Sequence, residues 1–415
     1  MSVDVRTRLV GDVRQLERDE VLDALLPGAI SEHGDLAARG VAQQELPPLG
    51  LETGDRAVTL EAVSGTLTLR PGTRTAGVVA VLTADALSDL VEDAQSTMGL
   101  AMTGRVKIVA GNINDWIGWE PVLRALLDGR KVHEPGDVTF VDLDGGELDL
   151  ARTFTVDDDG EFLAHFLQEA GFLHLRGVFD EAEMATLGAD IDEWIARARL
   201  DDGESWWATD ERGERQAVRV LFFYEKSAAL RPLVHDARFQ RIGHLPGDGH
   251  RFTEGAEGLV KPLGIVQGLS DLPWHKDCGQ GMHSYTCNAL TCGISVTGAD
   301  RKSGALSVIP GSHRANTMSA GRDTRLDLRP LMLETSTGDV TVHLSDTLHR
   351  AHPPVDHPRK VVYSGFALPP LAGDSARPGA PGGRQARAAL SDAQSRIEAA
   401  DNASSPDRYR AGRGR

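Results

Sequence analysis

The chain has 415 residues, 40% hydrophobic and 25% charged, with 61 Asp and Glu against 44 Lys and Arg and a formal net charge of -17. Length and apolar content are those of a globular protein of two or three domains. The acidic balance excludes a nucleic-acid surface, which needs a basic footprint, and works against docking on anionic lipid. No apolar run approaches the roughly 18 residues of a membrane helix, so no membrane insertion is expected. The three cysteines, Cys278, Cys287 and Cys292, form no CxxC pair and are odd in number. That argues against a disulfide scaffold and, with no basic-then-apolar segment in MSVDVRTRLV, for a cytoplasmic protein.

In chain order, VRQLERDEVLDALL reads as a short helix before the Pro-Pro stretch QELPPLG. RAVTLEAVSGTLTLRPG alternates in strand fashion around a Ser-Gly turn, the pattern of a hairpin. AGVVAVL is another strand, leading into Thr83 as the N-cap of ADALSDLVED; GRVKIVAGN is a further strand, and WEPVLRALLDG a helix closed by Gly129. Taken together, this hairpin, the strand into a capped helix and the strand Gly104-Arg105-Val106-Lys107-Ile108-Val109-Ala110-Gly111 resemble the sterol-carrier-protein-2-like domains. The resemblance covers about residues 50–130 and implies a small sheet backed by helices, with an apolar tunnel in several members. The apolar residues of DWIGWEPVLRALL read more readily as plain core than as the wall of such a tunnel.

Residues 131–157 read as a linker with a short strand or two. EFLAHFLQEAGFLHLRGVFDEAEMATLGADIDEWIARAR then gives helix, strand, turn, helix, and residues 258–370 turn to short strands separated by Gly, Pro, Asp and Ser. That texture marks an all-β sandwich or barrel. The last 43 residues, rich in Gly, Pro and Arg, are expected to be disordered apart from one helix near 384–400.

The chemistry-bearing stretch is PWHKDCG, with His275 and Asp277 two apart. In an Asp-rich chain this dipeptide arises by chance, and His33-Gly34-Asp35 is such a twin. Two imidazoles and one carboxylate on one face of an iron leave positions open for a cosubstrate and O2. On a strand, His-x-Asp would place both side chains on one face, and a second histidine must come from a distant strand. The candidate is His349, ten positions before Arg359, in GDVTVHLSDTLHRAHPPVDHPRKVVYSGF. Between the two halves stands SGALSVIPGSH.

This order of His-x-Asp, G-x-L-x-V-x-P-G-S-H, G-D-V…L-H and a following arginine is similar to the phytanoyl-CoA dioxygenase (PhyH) family, a branch of the Fe(II)/2-oxoglutarate oxygenases. FLQEAGFLHLRGVFDEAEMATL and LVKPLG extend the resemblance over about residues 158–370. It implies a double-stranded β-helix, or jelly-roll, domain with His275, Asp277 and His349 on Fe(II) and Arg359 on the distal carboxylate of 2-oxoglutarate. Arg219 and Lys261 are carried over as further cosubstrate contacts. Where the family often has a hydroxyl residue two after the second histidine, this chain has Ala351. A guanidinium suits the role given to Arg359 because its planar fork matches a carboxylate.

The expected architecture is therefore an α+β domain over 1–135, a linker over 136–157, a mainly-β jelly-roll domain with flanking helices over 158–372 and a tail over 373–415. The implied reaction is hydroxylation of an unactivated C–H bond in an apolar, lipid-like or natural-product small molecule, with 2-oxoglutarate and O2 converted to succinate and CO2. Related halogenases lack the carboxylate that Asp277 supplies; desaturation and ring formation stay open. A second copy of the chain is an allowed partner. The competing reading is a non-catalytic lipid carrier that keeps the oxygenase fold, and a further one is a metal-binding barrel of another reaction class, for which Arg359 would have no use. Among the other histidines, His343 is a strand residue that would share the face of His349, His357 reads as solvated and His313 as structural. Trp206, Trp207 and the run Phe222-Phe223-Tyr224 read as pocket wall or core alike.

Overall fold

The computed structural model describes residues 14–200, 202–268, 272–277, 289–320 and 326–367. Cys278, Cys287 and the tail from 373 lie outside the described residues.

The N-terminal part opens with a helical stretch from Arg18 to Gln44, longer than the short helix expected. It passes through Pro27 by way of a π-turn over Val21–Leu25, a local widening that accommodates a break in the regular hydrogen-bond ladder. Its Gly40 is needed for contact: a Cβ there would sit 2.6 Å from the Val132 side chain. Five strands follow: β1 (Leu49–Thr53), β2 (Arg56–Val63), β3 (Thr66–Pro71), β4 (Val78–Leu82) and β5 (Val106–Ala110). They form one sheet in the order β3-β2-β1-β4-β5. Ser64 and Gly65 join β2 to β3 with φ of 52° and 85°, the signature of the tight turn that matches strand twist. Thr83 caps the helix Ala84–Val91 by accepting from Ala86 N–H. The apolar face of the helix Glu120–Asp128 fills the core beside Trp116 and Trp119, both 0% exposed.

The second part begins with the helix Gly160–Ala170, the strand β6 (Phe172–Leu175) and the helix Glu181–Arg197, whose start is fixed by a reciprocal capping box between Asp180 and Glu183. Eleven more strands follow. They are β7 (Ser205–Asp210), β8 (Arg215–Val220), β9 (Arg251–Lys261), β10 (Ile265–Gln267), β11 (Leu272–His275), β12 (Leu290–Ser295), β13 (Leu306–Val308), β14 (Leu331–Leu333), β15 (Val340–Leu344), β16 (His349–Ala351) and β17 (Arg359–Ala367). Eight strands make a larger sheet in the order β10-β7-β8-β9-β17-β12-β15-β6, and four make a smaller one in the order β11-β16-β13-β14. From β9 to β17 the chain passes repeatedly from one sheet to the other, which is jelly-roll connectivity. One apolar core joins Cys292, Ile294, Val342 and Phe366 of the larger sheet to Phe166, Leu187 and Phe239 of the flanking helices.

One loop ties the two parts together. The Asn316 side-chain amide donates to the carbonyls of Pro121 and Arg130, each at 2.8 Å, and the Asn316 carbonyl accepts from His133 N–H. Four residues on, Ala320 forms a β-bridge with His275, and Lys276 N–H donates to the Ser319 carbonyl. The loop that seats the first part thus also edges the strand carrying His275.

Candidate metal centre

β11 and β16 are antiparallel neighbours in the smaller sheet, and His275 is the direct cross-strand partner of His349. Residues opposite each other in an antiparallel pair share a face, so the two imidazoles stand side by side with ring centroids 4.1 Å apart. Both are buried, at 3% and 5% exposure. Strand alternation does not place Asp277, because β11 ends at His275 and Asp277 lies in the turn beyond. The turn folds the carboxylate back, bringing Oδ1 to 3.4 Å from His275 Nε2 and 3.5 Å from His349 Nε2.

One donor atom from each of His275, Asp277 and His349 lies within 4.8 Å of the other two, a spacing at which all three can hold one ion. The His349 Nδ1–H donates to the Thr347 carbonyl at 3.0 Å. That bond fixes the ring's orientation and leaves Nε2, the atom facing Asp277, as the one available to a metal, as in many metal-binding histidines. Two imidazoles and one carboxylate suit a divalent first-row metal with open positions. Burial pushes the Asp277 carboxyl up, but the His349 charge and the three surrounding imidazoles outweigh it and hold it well below the usual carboxylate range. Burial pushes His349 down, and Asp277 outweighs that in turn to raise it.

His343 comes to this centre by a different route from strand parity. β15 belongs to the larger sheet and β16 to the smaller, and the chain crosses between them over residues 345–348. His343 therefore faces His349 across the sandwich, with ring centroids 4.1 Å apart and its Nε2 3.4 Å from Asp277 Oδ2. Burial, then the nearby His349 charge, push it down to about 4, so it is neutral at neutral pH. Thr291, which carried no sequence signal, donates its hydroxyl to the same Oδ2 at 2.8 Å.

Arg359 opens β17, paired in register with Lys261 at the end of β9. It is 4% exposed, and its Nε and Nη2 have no hydrogen-bond partner among the described residues. A buried guanidinium with open donors is costly unless a ligand meets them. Lys261 Nζ donates to the His352 carbonyl, and the His352 ring bonds the Ser307 hydroxyl at 2.8 Å. Burial, followed by the charges of Arg350, Lys261, Arg301 and Arg359, pushes His352 down to about 4. The region of Arg359 is therefore cationic, although the chain as a whole is strongly acidic.

Arg219 lies on β8, where it donates to Glu257 at 2.8 Å and stacks over the Trp206 ring at 4.3 Å. Trp206 and Phe223 are buried, and Tyr224 bonds His235 at 2.8 Å. His313 bonds the Gln168 carbonyl at 2.8 Å, and His357 is half exposed beside Asp300. In the twin motif, His33 bonds the Leu126 carbonyl at 2.9 Å, while Asp35 pairs with Arg39. Cys292 is buried on β12, and burial raises its thiol.

Residues 167–361 match the family described as Phytanoyl-CoA dioxygenase (PhyH). Ectoine dioxygenases of Bordetella parapertussis (strain 12822) and Bordetella bronchiseptica (strain RB50) are each 26% identical over 160 residues, 37% of this chain. The chain spans about half the length of these curated relatives, 50% of each. Among solved structures, EctD from S. alaskensis with bound Fe is similar at a TM-score of 0.44 and 20% identity, over 51% of this chain and 78% of that one. The epimerase SnoN in complex with Fe3+, alpha ketoglutarate and nogalamycin RO gives a TM-score of 0.41 and 20% identity, over 50% and 83% of the two chains.

Proposed function

We propose that the protein is an Fe(II)/2-oxoglutarate-dependent dioxygenase that hydroxylates a C–H bond of a small organic substrate. The observation that carries this reading is the presence in one domain of the His275–Asp277–His349 group, both its histidines buried, and of a buried guanidinium, Arg359, whose Nε and Nη2 have no hydrogen-bond partner among the described residues. The donor set fits iron, and the cationic surroundings of Arg359 fit a dicarboxylate. The match of residues 167–361 to the phytanoyl-CoA dioxygenases supports the same class.

In this reading His275, Asp277 and His349 hold Fe(II), Arg359 pairs with one carboxylate of 2-oxoglutarate, and Lys261 adds positive charge from the neighbouring strand. Bound iron with 2-oxoglutarate supplies the oxidising chemistry, in which O2 and 2-oxoglutarate yield succinate, CO2 and an oxidised substrate. The chain's own contribution is to orient the bound groups and to keep water away from them. The burial of His275 and His349 serves the second of these ends. Asp277 supplies the carboxylate that favours hydroxylation over halogenation. Arg219 belongs to this reading only as a support of β8 and β9, given its bond to Glu257.

For residues 1–135 the reading keeps a sterol-carrier-protein-2-like module as a scaffold. Trp116, Trp119, Val122, Leu123 and Leu126 are core in this structure, with at most 2% exposure, which favours packing over lipid contact. The substrate is accordingly a small apolar or natural-product molecule reached through the jelly roll, rather than a lipid handed over by the first domain.

The test is turnover without a substrate. Purified protein with Fe(II), ascorbate and 2-oxoglutarate should release succinate in step with O2 uptake. His275→Ala should abolish both. Wild-type protein that binds iron yet never forms succinate, with or without a panel of apolar substrates, would move the weight to a non-catalytic binding protein.

A further inference from the structure

We propose that Thr291 and His343 are positioning residues that grip one carboxylate oxygen of Asp277 and so turn the other toward the two metal-binding imidazoles. The inference rests on reading His275, Asp277 and His349 as a metal site. It adds a function for two residues of the opposite sheet.

The two oxygens of Asp277 face different layers. Oδ1 points to His275 Nε2 and His349 Nε2 at 3.4 and 3.5 Å, both from the smaller sheet. Oδ2 accepts from the Thr291 hydroxyl at 2.8 Å and stands 3.4 Å from His343 Nε2, both from the larger sheet. Thr291 on β12 and His343 on β15 are direct cross-strand partners, so their side chains reach the same point from the same face. Because the two residues are set side by side by the ladder itself, the grip is built into the sheet rather than into a loop.

The need for it comes from where Asp277 sits. It lies in the turn after β11, not in the ladder, so backbone pairing alone does not fix its carboxylate. A carboxylate free to rotate can offer a metal either oxygen or both. With Oδ2 held by two donors it offers one, and the positions a second oxygen would take stay available.

His343 has few other uses. It is 1% exposed, and its Nδ1 has no hydrogen-bond partner among the described residues. A buried imidazole costs free energy unless a polar partner offsets it, and Asp277 Oδ2 is the partner the structure gives. His343 lies outside the group of donors that lie mutually within 4.8 Å, in keeping with a role beside the metal ligands.

The experiment uses the full-length apo-protein and Co(II), whose ligand-field absorption reports both affinity and carboxylate binding mode. Wild type, His349→Ala, Thr291→Val, Thr291→Ser, His343→Leu and His343→Gln are titrated side by side, with circular dichroism as the check on folding. Thr291→Val keeps the shape of the side chain and loses only the donor. The expected result is Co(II) binding weakened about 10- to 100-fold in Thr291→Val and His343→Leu, as for other partners of metal ligands, with an altered band shape. Thr291→Ser and His343→Gln, which keep a donor, should return toward wild type. Wild-type affinity and spectrum in both Thr291→Val and His343→Leu, while His349→Ala fails to bind, would overturn this proposal alone. A loss in His343→Leu as deep as in His349→Ala would make His343 a ligand and overturn the positioning role. A wild type that binds no Co(II) would overturn the metal reading and this proposal together.

Discussion

His275 and His349, 74 positions apart in the chain, face each other as direct partners across two antiparallel strands, their rings 4.1 Å apart. That one register places two imidazoles beside a carboxylate that a turn folds back to them. On the other side of the sandwich the same logic sets Lys261 opposite Arg359. The proposed cosubstrate site and the proposed metal site are thus both products of strand register.

Arg359→Ala should weaken 2-oxoglutarate binding by about 10- to 100-fold, the loss of a charged hydrogen-bonding partner worth about 1.5–3 kcal/mol. Metal affinity should stay near wild type. Arg359→Lys should recover part of the loss, because an ammonium keeps the charge without the planar fork. Equilibrium titration with 2-oxoglutarate in the absence of O2 checks this, and an unchanged affinity in Arg359→Ala would remove the residue from the cosubstrate site.

Asp339 links β15 to the strand before the second part's long helix. Its carboxylate meets His174 Nε2 at 2.9 Å and accepts from the backbone N–H groups of Gly177 and Ser336. Burial raises its pKa, but His174 and these N–H groups outweigh burial and lower it. A depressed carboxylate pKa contributes stability that is present above the ordinary value near 3.8 and lost as pH falls through the folded-state value. Asp339→Asn should therefore cost about 1–3 kcal/mol at neutral pH and flatten the acid limb of the stability profile. Denaturant unfolding at a series of pH values checks both effects.

Gly338, just before Asp339, has φ of 85°, and a Cβ there would sit 1.9 Å from the Phe179 carbonyl oxygen. Its own carbonyl accepts from Phe179 N–H at 3.0 Å, so the two backbones cannot separate without losing that bond. Gly338→Ala should cost about 3 kcal/mol or more, from strain and overpacking together. Thermal unfolding gives the answer, and a melting point equal to wild type would contradict the close approach.

Much of this was legible in the chain. The Ser-Gly hairpin and the Thr83 cap announce themselves by local chemistry, whereas His275, Asp277 and His349 stand out only through their order with the stretches around them, because His-x-Asp by itself arises by chance. What the sequence could not carry is which sheet each strand joins. His343 and His349 are six apart, and period-two counting would set them on one face of one strand. The crossing over residues 345–348 instead puts them in different sheets, face to face. Thr291 has no signal at all, because its meaning depends on a register with His343. The long first helix is hidden for the opposite reason: Pro27 and Gly28 look like breakers, yet the π-turn before them lets the helix run on through both.

Asn316 should matter out of proportion to its size. Asn316→Ala removes two 2.8 Å donors and leaves the Pro121 and Arg130 carbonyls without them. The expected cost is about 2 kcal/mol or more in denaturant unfolding. A change within about 0.5 kcal/mol, the range of an ordinary surface substitution, would contradict its role as the tie between the two parts.

The most direct test of the central claim is an anaerobic optical titration of wild type and His349→Ala with Fe(II) and then 2-oxoglutarate. Wild type should develop a visible charge-transfer band that grows with 2-oxoglutarate and is absent from the folded His349→Ala variant. A wild-type protein that binds Fe(II) but develops no band at saturating 2-oxoglutarate would contradict that claim.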